Sequence, residues 1–367
     1  MTKIERIEPI AIKVPFTDRG RAHSWRSQDY SFLETLLVRV ETADGLVGWG
    51  EAFSYNCQSA VAAAIRDTVS PIAIGRDSRQ IAPLLFDLQK TLHIYGRYGI
   101  LNFALSGLDI ALWDIAGKRA GRPLAELLGG ARTSSVEAYA SLFRYHDPEM
   151  VAQQVRHAID LGYRMVKLHE RTAAEAAKAR ETAGPDVPLM MDTNCSWSPQ
   201  EAVALARQLK QYDLRWLEEP VFPPEDYSTL AMLQADGSVP IAAGENACTA
   251  FEFQKMIAAR AVAYVQPSVT KVGGITEFRK VSALAEVGGV GLVAHSPYFG
   301  PGLLATLTLA ACQPQPPPVE YFCIALEAKP YGERIVPTRG LIEIPTAPGL
   351  GLDPDLDFIR EYGVVSS

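Results

Sequence analysis

Short apolar runs recur through the middle of the chain, each followed by a polar turn and then a stretch of helical periodicity. From residue 136 onward the runs that read as strands begin near 136 (VEAYASLF), 163 (YRMVKLH), 188 (PLMMDTN), 215 (RWLEEP), 241 (IAAGEN), 264 (YVQPSV), 291 (GLVAHS) and 319 (VEYF). Their starts are separated by 27, 25, 27, 26, 23, 27 and 28 residues. Between them, segments such as QEAVALARQLKQY and ITEFRKVSALAEVG return an apolar residue every three or four positions, as one face of a helix does. Eight strand–helix units at this interval predict an α/β fold of the (β/α)8 TIM-type barrel class. A doubly wound open sheet is the competing topology, but it would not carry acids from successive strands to one point.

The first 125 residues follow a different pattern. IERIEPIAIKV and TLLVRVETADGLVGWGEA read as strands on either side of the polar stretch TDRGRAHSWRSQD, and Asp44-Gly45 signals a tight turn within the second. Helical segments follow, ending in ALSGLDIALWDIAGKRAGRPLAELLGG. The expected organisation is an α+β capping domain over residues 1–125, a barrel over 126–325, and a C-terminal segment, 326–367, that returns to the cap. That segment contains another strand and turn, LIEIPTAPGLGLD, expected to join the first lobe. CQPQPPPVEYF reads as a loop before the eighth strand.

Three of the runs carry acids near their ends: Asp192, Glu218 and Glu245, with 218 − 192 = 26 and 245 − 218 = 27. In a parallel barrel these strand ends converge, and three hard oxygen donors at one point predict a Mg²⁺ site with room for substrate and water. The second run ends in Lys167-Leu168-His169. Side chains alternate across a strand, so Lys167 and His169 share the inner face while Leu168 meets the helices.

Composition narrows the class. With 48% hydrophobic and 21% charged residues and a mean hydropathy of +0.02, the chain reads as a soluble globular protein. A net charge of −7 supplies no basic stripe for nucleic acid. The N-terminus lacks a basic flank with a long apolar core, and no apolar run reaches membrane-spanning length, so a cytoplasmic protein without a membrane partner is expected. The five cysteines are odd in number and show no CxxC spacing; Cys195 and Cys248, each three residues after a proposed ligand, read as small buried thiols.

At these residues the chain resembles the enolase superfamily, in its mandelate racemase and muconate lactonizing branch, over essentially its whole length. The resemblance rests on ALSGLDIALWDIAGK (104–118), DTNCSWSPQEAVALARQLKQYDLRWLEEP (192–220), GEN (244–246) and QPSVTKVGG (266–274). It implies a modified barrel capped by the N- and C-terminal segments, with Mg²⁺ held by Asp192, Glu218 and Glu245. It further implies removal of a proton next to a carboxylate, with the metal stabilising the enediolate. In such proteins the second strand usually carries two lysines; here His169 takes the second place. A neighbouring ammonium would keep His169 neutral and fit to act as the base, Lys167 is the alternative base, and a third reading has His169 only orienting Lys167 or the substrate.

His295 occupies the place of the opposing histidine on strand seven. Its usual aspartate partner is replaced by Ser268, which can orient an imidazole but not stabilise imidazolium, so His295 reads as a general acid. Asn194, Ser268 and Glu320 are expected to contact the substrate; Glu219, which on a regular strand would point away from the ligand beside it, is expected to support the site from behind, as is Lys271, for which a solvated or structural role and a catalytic one both stand open. Arg19, Arg21, His23, Trp25 and Arg26 are read either as a lid that binds a polar substrate or as a solvated charged loop. The leading expectation is a dehydratase of a sugar acid or other small hydroxy-carboxylate. A racemase or epimerase is the alternative, followed by a cycloisomerase and by a binding protein that has lost catalysis. Large symmetric assemblies are common among resembling proteins, so a homo-oligomer is expected.

Overall fold

The computed structural model describes residues 2–17, 23–24 and 29–364 of the 367. In the lobe, β1 (Ile4–Thr17) pairs antiparallel with β2 (Phe32–Thr42), and β2 with β3 (Val47–Ala52). The β2–β3 turn contains Gly45 at φ +83°, the left-handed conformation that Asp-Gly announced. Helix α1 (Ile100–Ala120) lies directly on β3. A Cβ at Gly50 would stand 1.9 Å from the Gly107 carbonyl, and one at Gly48 2.3 Å from that of Ala111, so only glycine permits this approach. By length and composition α1 would cross a membrane, contrary to the expectation that no run reaches that length. Asp109, Asp114, Lys118 and Arg119 interrupt its apolar sequence, and 72% of the qualifying stretch is buried within the fold.

All eight expected barrel strands form, and every pairing among them is parallel. They are β4 (Ser135–Ser141), β5 (Val166–Leu168), β6 (Leu189–Asp192), β7 (Leu214–Glu218), β8 (Ile241–Ala243), β9 (Tyr264–Val265), β10 (Gly291–Leu292) and β11 (Val319–Phe322). Their order is β10-β9-β8-β7-β6-β5-β4-β11. Among the described residues no ladder joins β10 to β11. Ser296 bridges the gap instead, its N–H donating to Glu320 Oε2 and its Oγ to the Glu320 carbonyl, both at 2.9 Å.

Alternation along the strands builds the interior in layers. Tyr139, Met165, Met190, Trp216, Ala242 and Val293 form an apolar floor. Two residues further along the same strands come Ser141, Lys167, Asp192, Glu218 and His295. The intervening Val166, Leu168, Met191 and Leu217 face the helices in the main core.

The C-terminal segment corrects one expectation. The strand in LIEIP, β13 (Leu341–Glu343), pairs with β4 of the barrel, not with the lobe. The reason is geometric. β4 meets its parallel neighbours only from Ala138 onward, so Ser135–Glu137 project below the ladder and need a partner. The returns to the lobe are made by β12 (Ala325–Leu326) and β14 (Gly363–Val364), both pairing with β1. Leu350 N also donates to Asp114 of α1 at 2.8 Å.

Candidate active site

Asp192 and Glu218 are direct partners in the β6–β7 ladder, so their carboxylates leave the wall at one height. Glu245 lies two residues beyond β8. The chain turns sharply after each of the first two ligands: Asn194 (φ +47°), Cys195 (+55°) and Glu219 (+44°) hold left-handed conformations that non-glycine residues adopt at a cost. This corrects the placement of Glu219, read as facing away on a regular strand. Its carboxylate accepts from Gly244 N at 2.9 Å and from Cys195 Sγ at 3.4 Å, tying together the ends of β6, β7 and β8. Cys195 is half-buried and Cys248 fully buried.

One oxygen from each of Asp192, Glu218 and Glu245 lies within 4.8 Å of the others. Oxygens that share one Mg²⁺ sit about 3–4 Å apart, close to the spacing of this set. Five carboxyl groups, with Glu219 and Glu320, crowd a region where Lys167 brings its ammonium into direct contact with Asp192, Glu218 and Glu320. The residues fit a hard divalent cation.

Lys167 is wholly buried, its Nζ 2.9 Å from Glu218, 2.8 Å from Glu320 and 3.4 Å from Asp192. Burial would lower its pKa, but those three carboxylates together hold it well above the usual lysine range. Burial likewise pushes Asp192 up, yet Lys167 and His169 keep it below the ordinary value. Burial, with Glu245 beside it, pushes Glu219 up to about 8. Trp216 of the floor donates its Nε1–H to Glu218 at 2.9 Å.

The two histidines flank the triad. His169 Nδ1 lies 2.6 Å from the Leu142 carbonyl, which can only accept, so the neutral ring carries its lone pair on Nε2. That Nε2 is 3.3 Å from Asp192. His295 Nε2 lies 2.9 Å from Glu245, and its Nδ1 3.4 Å from the Tyr298 hydroxyl.

Two residues expected to touch substrate are committed elsewhere. Glu320 is 1% exposed; one oxygen meets Lys167 and Ser141 Oγ, the other the Ser296 N–H, so it closes the barrel gap. Ser268 is fully buried against Tyr298, and Tyr298 rather than Ser268 meets His295. Asn194 is half-buried and accepts from Arg144 at 2.5 Å. Lys271 is 6% exposed, its ammonium 4.6 Å from the Phe53 ring of the lobe. Arg19, Arg21, Trp25, Arg26 and the side chain of His23 lie outside the described residues.

Sequence reasoning missed Arg144, which also donates to the His169 carbonyl, and Tyr298. Each lies three residues beyond an inward-facing strand-end residue, Ser141 and His295 respectively, and that spacing is the only trace of them in the sequence.

Comparison with known proteins agrees with this architecture. Residues 150–358 match the model of the enolase C-terminal domain-like family, and residues 24–129 that of the mandelate racemase / muconate lactonizing enzyme N-terminal domain. An arabinonate dehydratase of Saccharolobus solfataricus is 33% identical over 90% of this chain and 91% of its own. A D-galactarolactone cycloisomerase of Agrobacterium fabrum is 32% identical over 89% and 90%. The crystal structure of a racemase from Streptomyces coelicolor A3(2) with bound magnesium superposes with a TM-score of 0.87 at 28% identity, covering 98% of this chain and all of that one.

Proposed function

The chain belongs to the mandelate racemase and muconate lactonizing enzyme branch of the enolase superfamily, and on that premise we propose that it is a Mg²⁺-dependent hydro-lyase that dehydrates a sugar acid. The observation that carries this reading is the pair of imidazoles at opposite ends of the ligand triad, His169 beside Asp192 and His295 beside Glu245.

Asp192, Glu218 and Glu245 would hold the ion, which when bound offsets the negative charge that develops on the substrate carboxylate. His169, with its Nδ1–H bound to Leu142, takes the proton from the α-carbon onto Nε2. The electrons of that C–H bond first pass into the substrate carboxylate as an enediolate; they then form a carbon–carbon double bond as the neighbouring C–O bond breaks, and the hydroxyl leaves as water with the Nε2 proton of protonated His295. The resulting enol tautomerises to a 2-keto acid. Lys167, with its ammonium among three carboxylates, has no lone pair to act as base; it balances their charge. The same two imidazoles suit an isomerase, as the cycloisomerase relative indicates, and that is the second reading.

Supporting features extend the proposal. The exposed Phe86, Ile94, Tyr95, Tyr98 and Phe251 offer apolar surface for a homo-oligomer to cover. The acidic net charge and the buried α1 suit a cytoplasmic enzyme of small carboxylates, without nucleic-acid or membrane partners. The test is incubation with Mg²⁺ and a panel of aldonic and aldaric acids in D₂O, with assay of 2-keto product and of deuterium at the α-carbon. Product formation supports the lyase; exchange without loss of hydroxyl turns the reading to an isomerase. If no acid gives either signal while metal is bound, the proposal fails.

A further inference from the structure

We infer that Tyr298, braced by Ser268, is the positioning residue that aims His295 at the substrate through a chain of neutral hydroxyls. The inference rests on the dehydratase reading above and specifies how its proton donor is held.

His295 is 7% exposed and Tyr298 2%. The Tyr298 hydroxyl lies 3.4 Å from His295 Nδ1, and the two rings meet edge to face, with centroids 6.0 Å apart at 84°. Behind it, the Tyr298 hydroxyl is in close contact with Ser268 Oγ, which lies 3.5 Å from Thr270 Oγ1. With Nε2 2.9 Å from Glu245, both nitrogens of His295 are accounted for, and the imidazole plane is fixed between the metal triad and the buried phenol.

The chemistry of the chain suits a donor. During the elimination the Nε2–H bond of the His295 imidazolium breaks, its proton joins the departing hydroxyl, and the ring is left neutral with Nδ1–H directed at Tyr298. An oxygen that accepts from Nδ1–H and donates its own hydrogen to Ser268 Oγ holds the ring through this change. The Nδ1 partner of His169 is also neutral, the Leu142 carbonyl, so each ring faces an uncharged oxygen through Nδ1 and a carboxylate of the triad through Nε2.

The test uses Tyr298→Phe and Ser268→Ala in the full chain. Tyr298→Phe keeps the ring and removes only the hydroxyl. Product formation should fall about 10- to 100-fold, by analogy with the loss of the partner that orients a metal-site histidine. KM and α-proton exchange in D₂O, which depends on His169, should stay near wild type. Ser268→Ala should show the same pattern with a smaller loss. In protein labelled with ¹⁵N-histidine, free of metal and substrate, the His295 ring resonances should shift in both variants while those of His169 stay in place.

Unchanged turnover in Tyr298→Phe overturns the inference. So does an equal fall in exchange and product formation together with a lower urea midpoint, which marks a merely structural role. If the wild-type protein neither exchanges nor eliminates with any acid, the dehydratase reading fails, and the histidine spectra alone decide whether Tyr298 orients His295.

Discussion

Replacing Asp109 with asparagine isolates the cost of a buried charge that the signature helix α1 carries into the barrel. Asp109 is fully buried; its carboxylate accepts from Thr276 N at 3.0 Å and from the Thr276 hydroxyl, capping the first turn of helix α2 (Gly274–Gly288). Burial outweighs those hydrogen bonds and raises its pKa from an ordinary 3.8 to about 7. A carboxyl raised in this way contributes most below pH 4, and stability is lost as pH climbs through the interval up to 7. About 3 pH units at 1.36 kcal/mol each give a total loss of about 4 kcal/mol, of which roughly a third has occurred by pH 5. The asparagine side chain keeps an acceptor for Thr276 N and has no charge to bury. Relative to wild type, Asp109→Asn should therefore gain about 3 kcal/mol of stability between pH 5 and pH 8.5. Urea denaturation of both proteins at the two pH values measures this. A variant destabilised equally at both would show that the carboxylate is ionised throughout and acts as an ordinary cap, refuting the argument.

Three other predictions concern the site. His169→Gln should cut α-proton exchange by about 10²- to 10⁴-fold while Mg²⁺ still binds in titration calorimetry; exchange at the wild-type rate would remove His169 as base. Mg²⁺ at 100 times its Kd should stabilise wild type by about 2.7 kcal/mol in urea denaturation, and the same concentration should give Asp192→Asn little or nothing. Lys167→Met leaves Glu218 and Glu320 buried without their counter-ion and should cost about 3–5 kcal/mol in metal-free protein, with a negligible loss arguing against the charge-balancing role.

The barrel is legible in the sequence because a period of two and a near-constant spacing are properties of the chain itself. Asp192 and Glu218 can be paired in advance because parallel strands of matched length put equivalent positions side by side, as their register shows. What escapes depends on how the chain leaves each strand. Glu219 is misdirected by alternation, which stops where φ turns positive, and no residue type at that position announces the change. Glu320 and Ser268 read as substrate contacts because the resemblance gives the position of a residue but not the partner that claims it. Tyr298 and Arg144 act from loops, where neither periodicity applies. The tail strand Leu341–Glu343 reads as part of the wrong sheet because its destination is set by three unpaired residues of β4, a vacancy that exists only once the barrel has formed. The motif in α1 carries family information without its meaning: Asp109 caps a barrel helix, and Asp114 accepts from Trp49 N and Leu350 N.

The route of residues 325–364 has a practical outcome for anyone re-engineering selectivity. That stretch runs from β1 to the foot of β4, up to α1, and back to β1, lashing cap and barrel together at several separate points. Such a cap is poorly placed to swing as one flap, which leaves admission to the pocket to short local segments around the rim. A chimera that borrows its cap from a cousin should therefore borrow residues 325–364 along with it, or the new roof will have nothing to fasten it down.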